Sequence, residues 1–222
     1  MTNANHRINR AALELFAKKG FAATGIRDLA EAAGVSTASL YHYMGTKDDL
    51  LERIILRGME RTIAYGRGVA VLSEDPATQL VGLVQAHVCL HTTYRHETRV
   101  LDLELRSLRK TTHATVVELR DSYEQIWADI LNRGMAAGTF DIPDQHVARL
   151  ALIEMCNGTG LWYNPKGSLT IAQVAHTTAD LALGLVRAKT ADACMRIDDL
   201  SQPIPYAHIE RIVTGAFGDL LG

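Results

Sequence analysis

The chain has 222 residues, 23 Lys/Arg against 25 Asp/Glu, a formal net charge of −2 and 47% hydrophobic residues. That composition excludes a disordered polyelectrolyte and is enough for one or two domains with real cores. No apolar run reaches the ~18–20 residues of a membrane span, and MTNANHRINRAALELF reads as no signal peptide, so no membrane partner is expected.

Almost every segment reads as helix. Residues 6–19 set Ile8, Ala11, Ala12, Leu15 and Phe16 on one helical face. Gly20 is a natural residue to end that helix. Thr24 is the expected cap of the next, whose Ile26, Leu29, Ala30 and Ala33 share a face, and Gly34 breaks it. In GVSTASLYHYMGTK, residues 34–47, Ser36 is a good N-cap, and Val35 with Leu40 matches a hydrophobic staple. The helix that follows is too short to stand alone and must be pinned by packing, through Leu40 and Tyr41 or Met44. Thr46 to Asp49 reads as a capping box that opens a long helix bearing Leu50, Leu51, Ile54, Ile55 and Met59.

Beyond about residue 66 the periodic segments lengthen, with helices expected over 76–94, 96–108, 111–137, 143–162 and 170–189. The breaks fall at 73–76, 138–143 and 164–168. Strand signals are absent. Residues 190–204 read as irregular and 206–221 as a final amphipathic helix without an assigned role. Cys89, Cys156 and Cys194 are odd in number and far apart, which fits a reducing cytoplasm and no disulfide framework.

Two short helices joined by a Gly-containing turn make a helix-turn-helix, whose second helix enters the major groove. Residues 1–61 hold nine Lys/Arg against seven Asp/Glu, and the remainder fourteen against eighteen. A locally basic head on an acidic carrier is compatible with nucleic acid. Thr37, Ser39, Tyr41, His42 and Tyr43 offer groups for phosphates and base edges. Lys47 stands at a helix N-terminus, where an ammonium and free N–H groups can meet a phosphate. Thr24 and Arg27 can grip the flanking backbone.

The stretch AALELFAKKGFAATGIRDLAEAAGVSTASLYHYMGTKDDLL resembles the DNA-binding domain of the TetR family of bacterial transcriptional regulators. The order is helix, GF-x-x-T, D-L-A-x-x-A-G-V-S, L-Y-x-Y, K-x-x-L, with Met44 where an aromatic is usual. The resemblance implies an all-α fold: a three-helix helix-turn-helix DNA-binding domain, residues 1–50, then a larger helical ligand-binding and dimerisation domain, residues 51–222. It implies a cytoplasmic homodimer on a palindromic double-stranded operator, a repressor released by a small molecule. By position in the motif, Thr24, Arg27, Ser36, Thr37, Ser39, Tyr41, His42, Tyr43 and Lys47 are the DNA-binding candidates. The last two long helices carry Ala172, Ala175, Ala179 and Ala182, with Gly158 and Gly160 before them, and the resemblance implies that they pair with their symmetry mates.

Residues 104–163 are similar to the subgroup that senses CoA thioesters, with Gly158 where a bulky residue is common. An acyl-CoA-like or hydrophobic effector is the expected ligand. Arg106 and Arg109 can pair with anionic groups, and Tyr123, Trp127, Asn157 and Trp162 can supply an apolar wall with a few hydrogen-bonding groups. Core packing is the competing reading for both tryptophans, and a solvated helix face for both arginines. His87 and His91 are spaced i, i+4, but two ligands are too few for a metal, and no cofactor is expected. A metal or redox signal is the alternative to an organic effector. A helical enzyme is the remote one: G-x-S-x-G, P-loop and HExxH are all missing, so no catalytic residue is expected.

Overall fold

The computed structural model describes residues 3–190 and 193–218. Its helices are α1 (Asn3–Lys19), α2 (Ile26–Ala33), α3 (Thr37–Met44), α4 (Lys47–Ala70), α5 (Pro76–Thr93), α6 (Arg95–Leu103), α7 (Lys110–Ala136), α8 (Gln145–Trp162), α9 (Ile171–Leu185) and α10 (Tyr206–Phe217). Short 3₁₀ turns occupy Glu104–Ser107 and Ile197–Asp199. The fold is all-α, and the expected helix-turn-helix occupies its N-terminal part.

The chain forms two compact units. The first holds Met1–Thr62, Tyr94–Arg120 and Ala216–Gly222, and the second Ile63–Thr93 and Asp121–Gly215. In the first, Ile8, Ala12, Leu13 and Phe16 of α1 are buried with Leu29, Ala33, Leu40, Met44, Leu50, Leu51, Val100 and Leu101. The helical stripe read from the sequence is therefore the packed face. Phe16 meets Phe21 edge-on at 5.3 Å between ring centres. A Cβ on Gly58 would come within 2.7 Å of Leu101, so α4 and α6 touch where glycine leaves room.

In the second unit α5 is buried on all sides from Ala77 to Thr92. A helix buried all round belongs in the centre of a bundle, and α8 and α9 pack along it. A Cβ on Gly160 would stand 3.0 Å from the His91 carbonyl oxygen, which marks the close approach of α8 to α5.

Three expectations need correction. Thr24 does not cap α2: its hydroxyl donates to the Gly20 carbonyl at 2.8 Å, Gly25 is the N-cap, and Asp28 accepts from the Gly25 N–H at 3.1 Å. The helix expected over 96–108 stops at Leu103 and tightens into the 3₁₀ turn. The helix expected over 170–189 ends at Leu185, and a two-residue antiparallel pair follows, Lys189 opposite Cys194 and Thr190 opposite Ala193. Two residue pairs leave no room for period-two alternation to show in the sequence. Of the α9 alanines, Ala175, Ala179 and Ala182 are fully buried within the chain, where small side chains let α9 lie close to α5, and Ala172 is half-buried. The final helix runs Tyr206–Phe217, and residues 219–221 of its expected span lie outside the described residues.

Candidate functional site

The short helix α3 is held at both ends by its own sequence. Ser36 Oγ accepts from the Ser39 N–H at 3.1 Å and so satisfies an orphan donor of the first turn. Gly34 before it is left-handed, φ 63°, which lets its N–H and that of Val35 return to the last carbonyls of α2. Gly45 after it has φ 73°, and a Cβ there would also press within 2.9 Å of Asp49 Oδ2. That carboxylate belongs to the expected capping box: Thr46 N donates to Asp49 Oδ2 at 3.0 Å, and Asp49 N donates to Thr46 Oγ1 at 3.1 Å.

Leu40 and Met44 are the buried pins of α3, while Tyr41 is 52% exposed. Thr37 and His42 are exposed, and Ser39 and Tyr43 half-buried. The His42 and Tyr43 rings meet edge-on at 5.2 Å. Arg27 is exposed on α2. Polar and ring-bearing side chains are thus presented on a fixed short helix.

Two side chains expected to meet the DNA backbone are engaged elsewhere. Thr24 is buried and its hydroxyl points at Gly20. The Lys47 ammonium donates to the Phe21 and Thr24 carbonyls, both at 2.9 Å, and lies 4.1 Å from the centre of the Phe21 ring. It pins the turn before α2 to the start of α4. Asp28 joins α1 to α2: its bonds to the Lys19 ammonium and the Gly25 N–H hold its carboxyl below the usual range.

The effector candidates fall in both units. In the first, Arg106 is exposed. Arg109 lies against α4: its Nε donates to Glu52 Oε1 at 2.7 Å and its Nη2 to Asp49 Oδ1 at 2.8 Å, with a further contact to Glu52 Oε2. The Glu52 side chain is only 10% exposed. Arg109 is foremost what holds its carboxyl below the usual range. These bonds correct the expectation that the Arg109 guanidinium stands ready for an effector.

In the second unit Tyr123 and Trp127 are buried. Tyr65 and Tyr123 hydroxyls are 2.6 Å apart, Tyr123 OH is 2.7 Å from His87 Nδ1, and His87 Nε2 is 2.7 Å from Asn157 Oδ1. An amide oxygen only accepts, so Nε2 carries the hydrogen and Nδ1 accepts from Tyr123. Tyr123 then accepts from Tyr65. Asn157 Nδ2 donates onward to Glu154 Oε1 at 3.3 Å, on the exposed side of α8. The chain of hydrogen bonds has one sense from the buried Tyr65 to the surface. His91 stacks on His87 at 4.5 Å, and Trp127 meets it edge-on at 5.8 Å. The sequence points to Tyr123, Trp127 and Asn157 of this cluster but not to His87 or Tyr65 as effector groups; the i, i+4 spacing of His87 and His91 is the available signal. Trp162 is elsewhere. It is 59% exposed on α8, so neither pocket wall nor core describes it.

Burial pushes the His87 pKa down from 6.5 to about 4, and burial and His87 together push His91 down. The unfolded chain takes up these protons near pH 6.5 and the folded chain does not, so stability is full above that pH. It is expected to fall as pH drops from about 6.5 towards 4. The lowered carboxylates Asp28, Asp49 and Glu52 add their loss only below their ordinary values of 3.8 to 4.5. Thermal melts in a pH series check this, and a flat melting temperature between pH 7 and 5 contradicts it.

Comparison with known proteins agrees with this geometry. Residues 8–54 match the family described as bacterial regulatory proteins, tetR family. Residues 73–186 match the tetracyclin repressor-like C-terminal domain. The HTH-type transcriptional repressor KstR2 of Mycobacterium tuberculosis is 27% identical over 176 residues, 78% of this chain and 88% of its own. A tetR-family regulator from Rhodococcus RHA1 superposes with a TM-score of 0.78 at 29% identity, over 86% of this chain and all of its own. AibR, solved with isovaleryl coenzyme A and operator DNA, superposes with a TM-score of 0.74 over 81% of this chain and 97% of its own; at 21% identity that likeness is one of fold. With its helix-turn-helix over α2 and α3, the chain belongs to the TetR family of bacterial DNA-binding transcriptional regulators, which are not enzymes.

Proposed function

We propose that the protein is a homodimeric repressor of a palindromic operator, released by a hydrophobic or CoA-thioester effector. Residues 1–50 read DNA, and residues 51–222 dimerise and sense. The observation that carries the DNA reading is the capped, exposed helix α3. The dimer reading rests on Val147, Leu150 and Leu161 of α8 and Leu181 and Leu185 of α9, large apolar side chains left in solvent, with Trp162 of α8 exposed as well. A second copy presenting the same patch is the self-complementary occupant. Repression is favoured by the likeness to the repressor KstR2, and a CoA thioester by the likeness to AibR, solved with isovaleryl coenzyme A.

For the effector, the polar chain through Tyr123, His87 and Asn157 beside Trp127 offers hydrogen-bonding groups among apolar walls. Arg106 remains an exposed cation for an anionic group. A metal or redox signal has less support. Both nitrogens of His87 are engaged, and burial pushes the Cys89 and Cys156 thiols up, away from the reactive thiolate.

The effector must favour one state of the dimer over the other, since equal affinity shifts nothing. Tyr43→Ala is expected to weaken binding to the DNA upstream of the protein's own gene, with the dimer still folded; unchanged affinity in a gel-shift titration removes Tyr43 from the interface. Thermal-shift screening with acyl-CoAs, read together with loss of DNA binding, tests the ligand class. If no CoA thioester moves the melting temperature, that class is wrong.

A further inference from the structure

The first unit contains a closed ring of polar contacts that the DNA-reading role alone does not call for. Glu104 opens the 3₁₀ turn, and its Oε1 accepts from the Phe21 N–H at 2.9 Å, while Oε2 accepts from Ser107 Oγ at 2.7 Å. The carbonyl of the same Phe21 accepts from Lys47 Nζ at 2.9 Å. Lys47 begins α4, where Asp49 and Glu52 both accept from Arg109. Arg109 also donates its backbone N–H to Glu52 Oε1 at 3.3 Å. Between Arg109 and Glu104 the ring is closed by the chain itself. That stretch is stiffened by the buried Leu108, whose N–H returns to the Leu105 carbonyl at 3.3 Å.

The two fastened places are the turn that precedes α2 and the first turns of α4. They bracket α2 and α3. A helix as short as α3 has no stability of its own, so its direction is set by what holds its two ends. Glu104 and Arg109 bear opposite charges and reach opposite ends of the bracketed segment. Both bonds are charge-assisted, and Arg109 meets Glu52 with two parallel N–H donors, an arrangement that fixes angle as well as distance.

We propose that residues 104–109 act as a clasp, with Glu104 and Arg109 as positioning residues that set the pose of the recognition helix without touching DNA. A residue that contacts a phosphate and one that aims the helix both change affinity, but they differ in salt dependence. Loss of one phosphate contact lowers the slope of log K against log salt by about 1. Loss of a positioning contact leaves the slope unchanged.

The test uses the full-length protein and a labelled duplex from upstream of its own gene, titrated by fluorescence anisotropy at several salt concentrations. Glu104→Ala is expected to weaken binding roughly five- to thirtyfold with the slope unchanged. Glu104→Gln keeps an acceptor for the Phe21 N–H and is expected to recover most of the loss. Arg109→Lys keeps the charge but not the two-pronged geometry, and is expected to fall between wild type and Arg109→Ala. Should Arg109→Ala fail to fold because Glu52 is stranded, the Glu104 pair decides. Unchanged affinity in Glu104→Ala overturns the clasp, as does a slope reduced by one phosphate. A wild-type chain that leaves the duplex free at low salt removes the DNA-binding reading, and the clasp with it.

Discussion

The double variant Leu161→Glu/Leu181→Glu is expected to be a folded monomer with operator affinity lower by roughly two to four orders of magnitude. Leu161 is 73% exposed and Leu181 60%, so neither supports the core of its own chain, and the helical signal should be unchanged. In a two-fold dimer each substitution occurs twice in one seam, and like charges facing each other across a desolvated patch are strongly unfavourable. The affinity loss follows from linkage. Two half-sites held by one dimer gain about 10²–10⁴ over a single head, and a monomer forfeits that gain. Light scattering gives the mass and anisotropy the affinity. A variant that stays dimeric shows that the seam lies on another face.

Trp127→Ala is expected to destabilise the protein by about 3–5 kcal/mol, the range for truncating a large buried aromatic. Trp127 is fully buried and meets His87 and Tyr123 edge-on, so the void would open beside the polar chain. At roughly 2–4 °C per kcal/mol for a protein of this size, the melting temperature should fall on the order of 10 °C. Trp162→Ala removes a side chain of the same size that is 59% exposed, and should cost the isolated chain little. Equal losses in the two variants under conditions that keep the protein monomeric would refute the burial assigned to Trp127.

The contrast between those tryptophans shows what could be read in the sequence. Helical periodicity separates the buried Leu40 and Met44 from the exposed His42 on one short helix, and caps such as Ser36 and Thr46 need partners only three residues away. These features were legible because their physics is local. Arg109 was not, since its partners Glu52 and Asp49 lie 57 and 60 residues earlier. Nothing in the sequence distinguishes a guanidinium awaiting an effector from one already held by carboxylates. The alanines of α9 are ambiguous for a related reason. Small side chains announce a close approach but not which neighbour approaches, and here it is α5. Lys47 has the same ambiguity. A lysine at a helix start suits a phosphate or a pair of backbone carbonyls, and the structure gives it the carbonyls.

The chain has two tryptophans, and the structure puts one in a dry core and the other in water. Their emission should therefore separate, with Trp127 to the blue and closed to iodide, and Trp162 to the red and open to it. Protonated imidazole quenches indole, so acid should dim the Trp127 band as His87 charges. Assembly of two copies should shield Trp162 and leave Trp127 unchanged. Without any added label, the protein carries one optical reporter for its interior and a second for its surface.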